Sequence, residues 1–294
     1  MGWQGRFALL PDRWRDHRLA RFRQVLLAAQ RTRGYREALE RAGFTSPRSI
    51  ARLPSIEDSL ARLPCLSQAR FRAVPWQFSS PAAPPPPRQR FLLPFSPGLR
   101  VAVLSPNFED SASVRILDPD CLHEIKRFRP DAVAAPLDVL LGWAAGAARR
   151  GPRAIPAVPR ALIAFTGLEG PGLPDSARDL LWQAFEVPLF EQRLGADGSV
   201  LAWECEAHEG LHVVERNAVF EQSSNSLLIL TSLTDRRHPL LRLIAGFTGT
   251  LETGVCGCGR PGPRLRCAAM PQSASGPVTP GKKENTLLSA TTSA

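Results

Sequence analysis

Between residues 101 and 190 the sequence alternates short, wholly apolar runs with longer amphipathic stretches, and that alternation leaves few folds open. Residues 101–104, 132–135 and 161–165 are apolar at consecutive positions, as strands of a parallel sheet are when both faces are covered. Residues 122–128, 137–149 and 175–185 read as helices, the last opening on Pro174 and Asp175, residue types suited to a helix start. Strand–helix–strand succession at this spacing predicts an α/β fold with a mainly parallel, doubly wound sheet over residues 99–198. From Ser199 the apolar runs follow one another without helices between them, at 200–205, 211–215, 226–233 and 240–245. They predict a small antiparallel β unit over 199–265, appended to the α/β core.

Upstream, residues 1–78 read as a helical N-terminal segment. Leu19, Phe22, Val25, Leu26 and Ala29 recur at three- and four-residue spacing, which gives a helix one apolar face. A second helix over 35–42 stops at Gly43, and prolines at 47, 54 and 64 punctuate shorter ones. Residues 79–98 hold Ser79, Ser80 and four consecutive prolines, 84–87; such a run favours an extended chain without hydrogen-bonded structure, a linker or exposed loop. The Ser/Thr/Pro/Lys-rich stretch 266–294 has little to bury and is expected to be a disordered tail.

The formal charge of +10 raises nucleic acid as a partner, but its distribution argues otherwise. Only Lys126, Lys282 and Lys283 are lysines; the arginines, such as Arg15, Arg18, Arg21 and Arg23, are dispersed among apolar positions. A solvated surface accounts for them. No apolar run reaches the roughly 18–20 residues of a membrane span, the longest, 132–148, being broken by Pro136, Asp138 and Gly142. With no signal-peptide pattern in residues 1–11, the expectation is a cytoplasmic protein that makes no membrane contact. Six cysteines in a chain of 294 residues do not form a disulfide framework; in a reducing compartment, close-set cysteines point to metal.

Cys205 and His212 stand seven positions apart across a strand end, and Cys256 and Cys258 form a C-x-C turn among Gly254, Gly257 and Gly259. Three thiolates and one imidazole make a tetrahedral set that zinc prefers. With all four positions filled by protein, the ion would be structural. The competing reading is four ordinary side chains, since C-x-C alone is a weak signal. Cys65, Cys121 and Cys267 have no such partners, and His208 is a spare candidate. No G-x-S-x-G elbow, H-E-x-x-H helix or Walker loop is present.

Several ordered strings resemble one family. Arg129-Pro130-Asp131-Ala132-Val133, then Phe165-Thr166-Gly167-Leu168-Glu169, then Trp203-Glu204-Cys205-Glu206 with Gly210-Leu211-His212 are similar to phenylacetate–CoA ligases of the adenylate-forming superfamily. So are Thr231-Ser232-Leu233-Thr234, Pro239-Leu240-Leu241-Arg242 and Cys256-Gly257-Cys258-Gly259-Arg260. The resemblance implies activation of a carboxylate by ATP and magnesium, acyl transfer to coenzyme A, and a carboxylate or acyl ligand. It implies zinc at the Cys205, His212, Cys256, Cys258 cluster, as in some relatives. It also implies that Thr166, Gly167 and Glu169 line a cleft at the carboxyl ends of the strands, where open α/β sheets bind ligands.

This sequence departs from the family at each catalytic point. Ser79-Ser80 and prolines stand where a phosphate loop should offer N–H donors. Glu191-Gln192-Arg193-Leu194-Gly195 replaces the magnesium-binding carboxylate segment, with Glu191 and Asp197 out of register as substitutes. Phe247 occupies the position of the ribose-binding Asp, and no counterpart of the C-terminal catalytic Lys domain follows residue 265. The expectation is therefore a degenerate ligase relative without acyl-adenylating activity, a remnant that binds a ligand or partner. Two alternatives stand beside it: an acyl-CoA ligase with an atypical nucleotide site or completed by another chain, and a truncated reading frame.

Overall fold

The computed structural model describes residues 11–80, 83–84, 86–94, 98–168, 170 and 172–268. Among these residues, eleven strands form one sheet in the order β2-β1-β3-β4-β5-β6-β7-β11-β10-β9-β8. The parallel half comprises β1 (Val101–Val103), β2 (Val114–Ile116), β3 (Ala132–Pro136), β4 (Ala161–Thr166) and β5 (Leu189–Leu194). The antiparallel half comprises β6 (Val200–Glu204), β7 (Leu211–Val213), β8 (Ala218–Gln222), β9 (Leu227–Ser232), β10 (Leu243–Glu252) and β11 (Arg264–Ala268). The fold is thus mixed α/β, and the antiparallel strands continue the parallel sheet through the β5–β6 pairing.

The consecutive apolar runs are central strands: every residue of β4 is buried, and so are the first four of β3. Helices α6 (Leu122–Phe128), α7 (Leu137–Arg150) and α8 (Asp175–Phe185) bring Ile125, Leu140, Trp143, Ala177 and Leu181 onto the face holding Val133, Ala135, Leu162 and Ala164. The opposite face has a different cover. Phe91, Leu92, Leu93 and Leu99 pack against Val101, Ala134, Ile163 and Phe165. Among the described residues this face is covered by Phe91, Leu92 and Leu93 of the proline-rich stretch and by Leu99, so that stretch covers the sheet as well as connecting.

The N-terminal segment forms α1 (Pro11–Ala29), α2 (Arg36–Arg41), α3 (Pro47–Ala51), α4 (Ile56–Ala61) and α5 (Gln68–Ala73). Serines start the last three: the hydroxyls of Ser46, Ser55 and Ser67 accept the N–H groups of Ser49, Asp58 and Arg70, satisfying a donor the first turn leaves unpaired. These helices bury Phe22, Leu26, Leu39, Ile50 and Leu60 against Leu233, Leu240, Leu241 and Leu243 of the antiparallel half. Leu66 joins the sheet itself, its N–H donating to the Arg242 carbonyl at 2.8 Å and its own carbonyl accepting from Ile244 at 2.8 Å.

One boundary moves. The stretch expected to be disordered begins at 266, but residues 264–268 form β11, held by β10 on one side and by Leu211 and His212 of β7 on the other. Residues 269–294 lie outside the described residues.

Candidate metal centre and ligand cleft

Strand pairing assembles the cysteine–histidine cluster from three places. Cys205 follows the last residue of β6, while His212 lies in β7, paired with Trp203 and with Arg264. The loop between β10 and β11 supplies Cys256 and Cys258. Within it the Cys256 N–H donates to the Arg260 carbonyl at 3.0 Å and the Gly259 N–H to the Cys256 carbonyl at 2.8 Å. The glycines serve unlike ends. Gly254 and Gly259 take φ of +125° and +80°, where side chains are disfavoured. Gly257 instead makes room, since a Cβ there would meet Glu209 Oε1 at 2.9 Å.

The ligand atoms of Cys205, His212, Cys256 and Cys258 all lie within 4.8 Å of one another. Cys205 Sγ is 3.7 Å from Cys256 Sγ, and Cys258 Sγ is 3.4 Å from His212 Nε2. Thiolates about 2.3 Å from a central zinc stand about 3.8 Å apart at tetrahedral angles. The residues therefore fit an ion of that size.

Electrostatics act unevenly on the four. Burial pushes the Cys205 thiol up to about 12, so only an ion of strong charge would draw off its proton. Burial, then the charges of Arg260 and Arg264, hold His212 below the usual histidine range, keeping the imidazole neutral and its lone pair free. Cys258 sits below the usual thiol range: burial opposes this, but hydrogen bonds from the Arg260 backbone, Cys205, Cys256 and the Arg260 side chain outweigh it. The Trp203 ring stacks on His212 at 5.2 Å, and the Arg260 guanidinium lies over Trp203 at 5.1 Å.

His208, the spare ligand, is engaged elsewhere. Its Nδ1 lies 2.9 Å from Glu204 and its ring stacks on Phe190. Cys65 is exposed, and Cys121 and Cys267 are half-buried, all three outside the cluster.

At the carboxyl ends of β4 and β5 the residues expected to line a cleft meet Glu191 and Arg193 of β5. Glu191 and Arg193, two apart on β5, share one face of the strand. Arg193 is fully buried, at 0% exposure. Its Nη2 is 3.2 Å from Glu191 Oε1, and its Nη1 donates to the Gly170 carbonyl at 3.2 Å. Its guanidinium lies 4.1 Å over the Phe247 ring. The Thr166 hydroxyl donates to Glu191 Oε1 at 2.6 Å, and the Leu173 N–H to Glu191 Oε2 at 3.2 Å. Gly172 has φ of +108°, and the space its Cβ would need is filled by Arg193 and Glu191. Gly167 is exposed, and Glu169 lies outside the described residues. Asp197 accepts from the Ser199 N–H and hydroxyl, at 3.1 and 2.7 Å. A groove of about 560 Å³ between α4 and β8, lined in part by Arg18, Glu57, Leu60, Phe220 and Arg242, takes no residue from β1–β5.

Sequence reasoning missed Glu204, Glu209, Arg260 and Arg264. Each is an ordinary charged residue in sequence: Glu204 turns to Arg178 and His208, Glu209 and Arg260 flank the ligands along the chain, and Arg264 arrives through its register with His212.

No family model matches the chain, and no curated protein matches it. Solved structures do. 2-Hydroxyisobutyryl-CoA ligase, in an open conformation with 2-HIB-AMP and CoA, is similar with a TM-score of 0.58 and 16% identity over 85% of this chain and 68% of that one. The same ligase in its thioesterification state gives 0.58 and 16% over 87% and 68%, and in its postadenylation state 0.58 and 17% over 87% and 67%. This chain shares that ligase's fold. At 16–17% identity the likeness is one of fold. Among the described residues no helix is long and apolar enough to cross a membrane.

Proposed function

We propose that this chain is a degenerate relative of the phenylacetate–CoA ligase branch of adenylate-forming enzymes, without acyl-adenylating activity, retained in the cytoplasm to bind a ligand or partner. The observation that carries this reading is the buried Arg193 guanidinium over Phe247, bonded to Glu191 and Gly170. Side chains of this protein fill the place where a nucleotide and its magnesium would meet the ends of β4 and β5. A cationic plug stacked on an apolar ring offers no acceptor for ribose hydroxyls and no free carboxylate for a metal. Amides of the Ser79–Ser80 stretch support the same reading: the Ser80 N–H donates to the Arg237 carbonyl and the Ala83 N–H to the Ser80 carbonyl. Donors so engaged are not available to phosphate oxygens.

In this reading the cluster of Cys205, His212, Cys256 and Cys258 holds zinc, which ties the β10–β11 loop to β6 and β7. Four protein ligands leave no position for water, so the ion supplies cohesion and no Lewis-acid step.

ATP–pyrophosphate exchange, assayed with a panel of aromatic and fatty acids, tests the proposal. No exchange above background is expected. Exchange with any acid would overturn it in favour of an acyl-CoA ligase with an atypical nucleotide site.

A further inference from the structure

Glu209 is not one of the four ligands, yet it touches the cluster's C-x-C turn. Its Oε2 accepts the Gly257 N–H at 2.9 Å, Arg264 Nη1 at 3.0 Å and the Cys256 thiol at 3.6 Å. The third contact depends on the thiol proton. A cysteine that ligates a metal is a thiolate: its proton passes to solvent and a sulfur lone pair goes to the ion. The carboxylate and the sulfur would then face each other as two anions 3.6 Å apart.

Arg264 is the cation placed to offset this. Its side chain is 8% exposed, and it reaches Glu209 at 3.0 Å and Glu252 at 3.6 Å. Its Nε–H is buried without an acceptor. The pairing of Arg264 with His212 across β11 and β7 fixes its backbone beside the cluster. Zinc with three thiolates and a neutral imidazole carries one net negative charge, and Glu209 adds another close by.

We propose that Arg264 is the counter-ion that lets Cys256 ligate a metal beside Glu209, so that a cation outside the ligand set governs how firmly the site holds its ion. Arg264 is in this sense a positioning residue, and its action rests on the reading of the cluster as a metal site. A merely mechanical clasp would behave differently, because Glu209 and Arg264 would then contribute in the same direction. Charge balance makes them opposed.

Competition with a zinc chelator on the full chain, at fixed pH, separates the two. Wild type is expected to hold one zinc per chain. Arg264→Met should weaken binding about 10- to 100-fold, the range of outer-shell partners. Glu209→Gln keeps a carbonyl oxygen for the Gly257 N–H and drops the charge; it should bind as tightly as wild type or more so. The double variant should recover most of what Arg264→Met loses. Additive losses, or Arg264→Met binding like wild type, would overturn the proposal while leaving the metal site standing. Wild type without zinc would overturn both. Should Arg264→Met fail to fold, Glu209→Gln decides alone, since a clasp demands about a tenfold loss there.

Discussion

The Arg193 guanidinium carbon lies 4.1 Å from the centre of the Phe247 ring, so two residues 54 positions apart, on β5 and β10, are in direct contact. Together they form one unit: the ring covers the cation, and Glu191 balances it.

That unit predicts strong coupling. Arg193→Met removes a wholly buried cation and leaves Glu191 beside Thr166 as an uncompensated charge. Urea unfolding should show a loss of about 3–5 kcal/mol. Adding Glu191→Gln should restore most of it, and equal stability of the single and double variants would refute the pairing.

Metal content is directly measurable. Elemental analysis should find one zinc per chain in wild type and none in Cys256→Ser or Cys258→Ser. Chelation should lower the melting temperature and alter Trp203 fluorescence, because that ring lies 5.2 Å from His212. A chelator that changes neither signal would count against the site.

Acid should destabilise the metal-free protein through His212. The folded chain holds this imidazole below 6.5, mainly by burial, while the unfolded chain keeps the ordinary value. Between the two values the unfolded state binds more protons, so stability falls as pH drops through 6.5 and is fully present above it. In chelator-treated protein His212→Gln should flatten that part of the stability–pH curve; an unchanged slope would assign it to other groups.

The short N-terminal helices depend on their caps. Ser46 accepts from the Ser49 N–H while Ser49 Oγ accepts from the Ser46 N–H, both at 3.2 Å. Ser46→Ala should cost about 1 kcal/mol in thermal or urea unfolding, and so should Ser55→Ala. Ser224→Ala, at an exposed position outside every helix, is the control.

The parallel half of the sheet was legible because its strands are buried on both faces, which leaves unbroken apolar runs such as Ala132 to Ala135. Strands β2 and β8 were not. Val114-Arg115-Ile116 is too short to show a period, and the half-buried Ala218–Gln222 alternates like many loops. The four metal-ligand candidates were legible from residue type and spacing. Their surroundings were hidden, because Arg264 reaches the cluster only through its register with His212. Likewise the sequence displays both Arg193 and Phe247, but nothing local reveals that they meet.

The bond between Tyr35 and Leu241 has a bearing on synthesis. The Leu241 N–H donates to the Tyr35 hydroxyl at 2.9 Å across 206 residues of chain, and the leucines flanking it complete the core of the first helices. A ribosome adding roughly 5–20 residues per second delivers that partner about 10–40 s after Tyr35. Throughout that interval Phe22, Leu26 and Leu39 have no finished core to enter. Helices made well before their partner strands are thus among the last to settle, and their exposed apolar face is where a nascent-chain chaperone would find its hold.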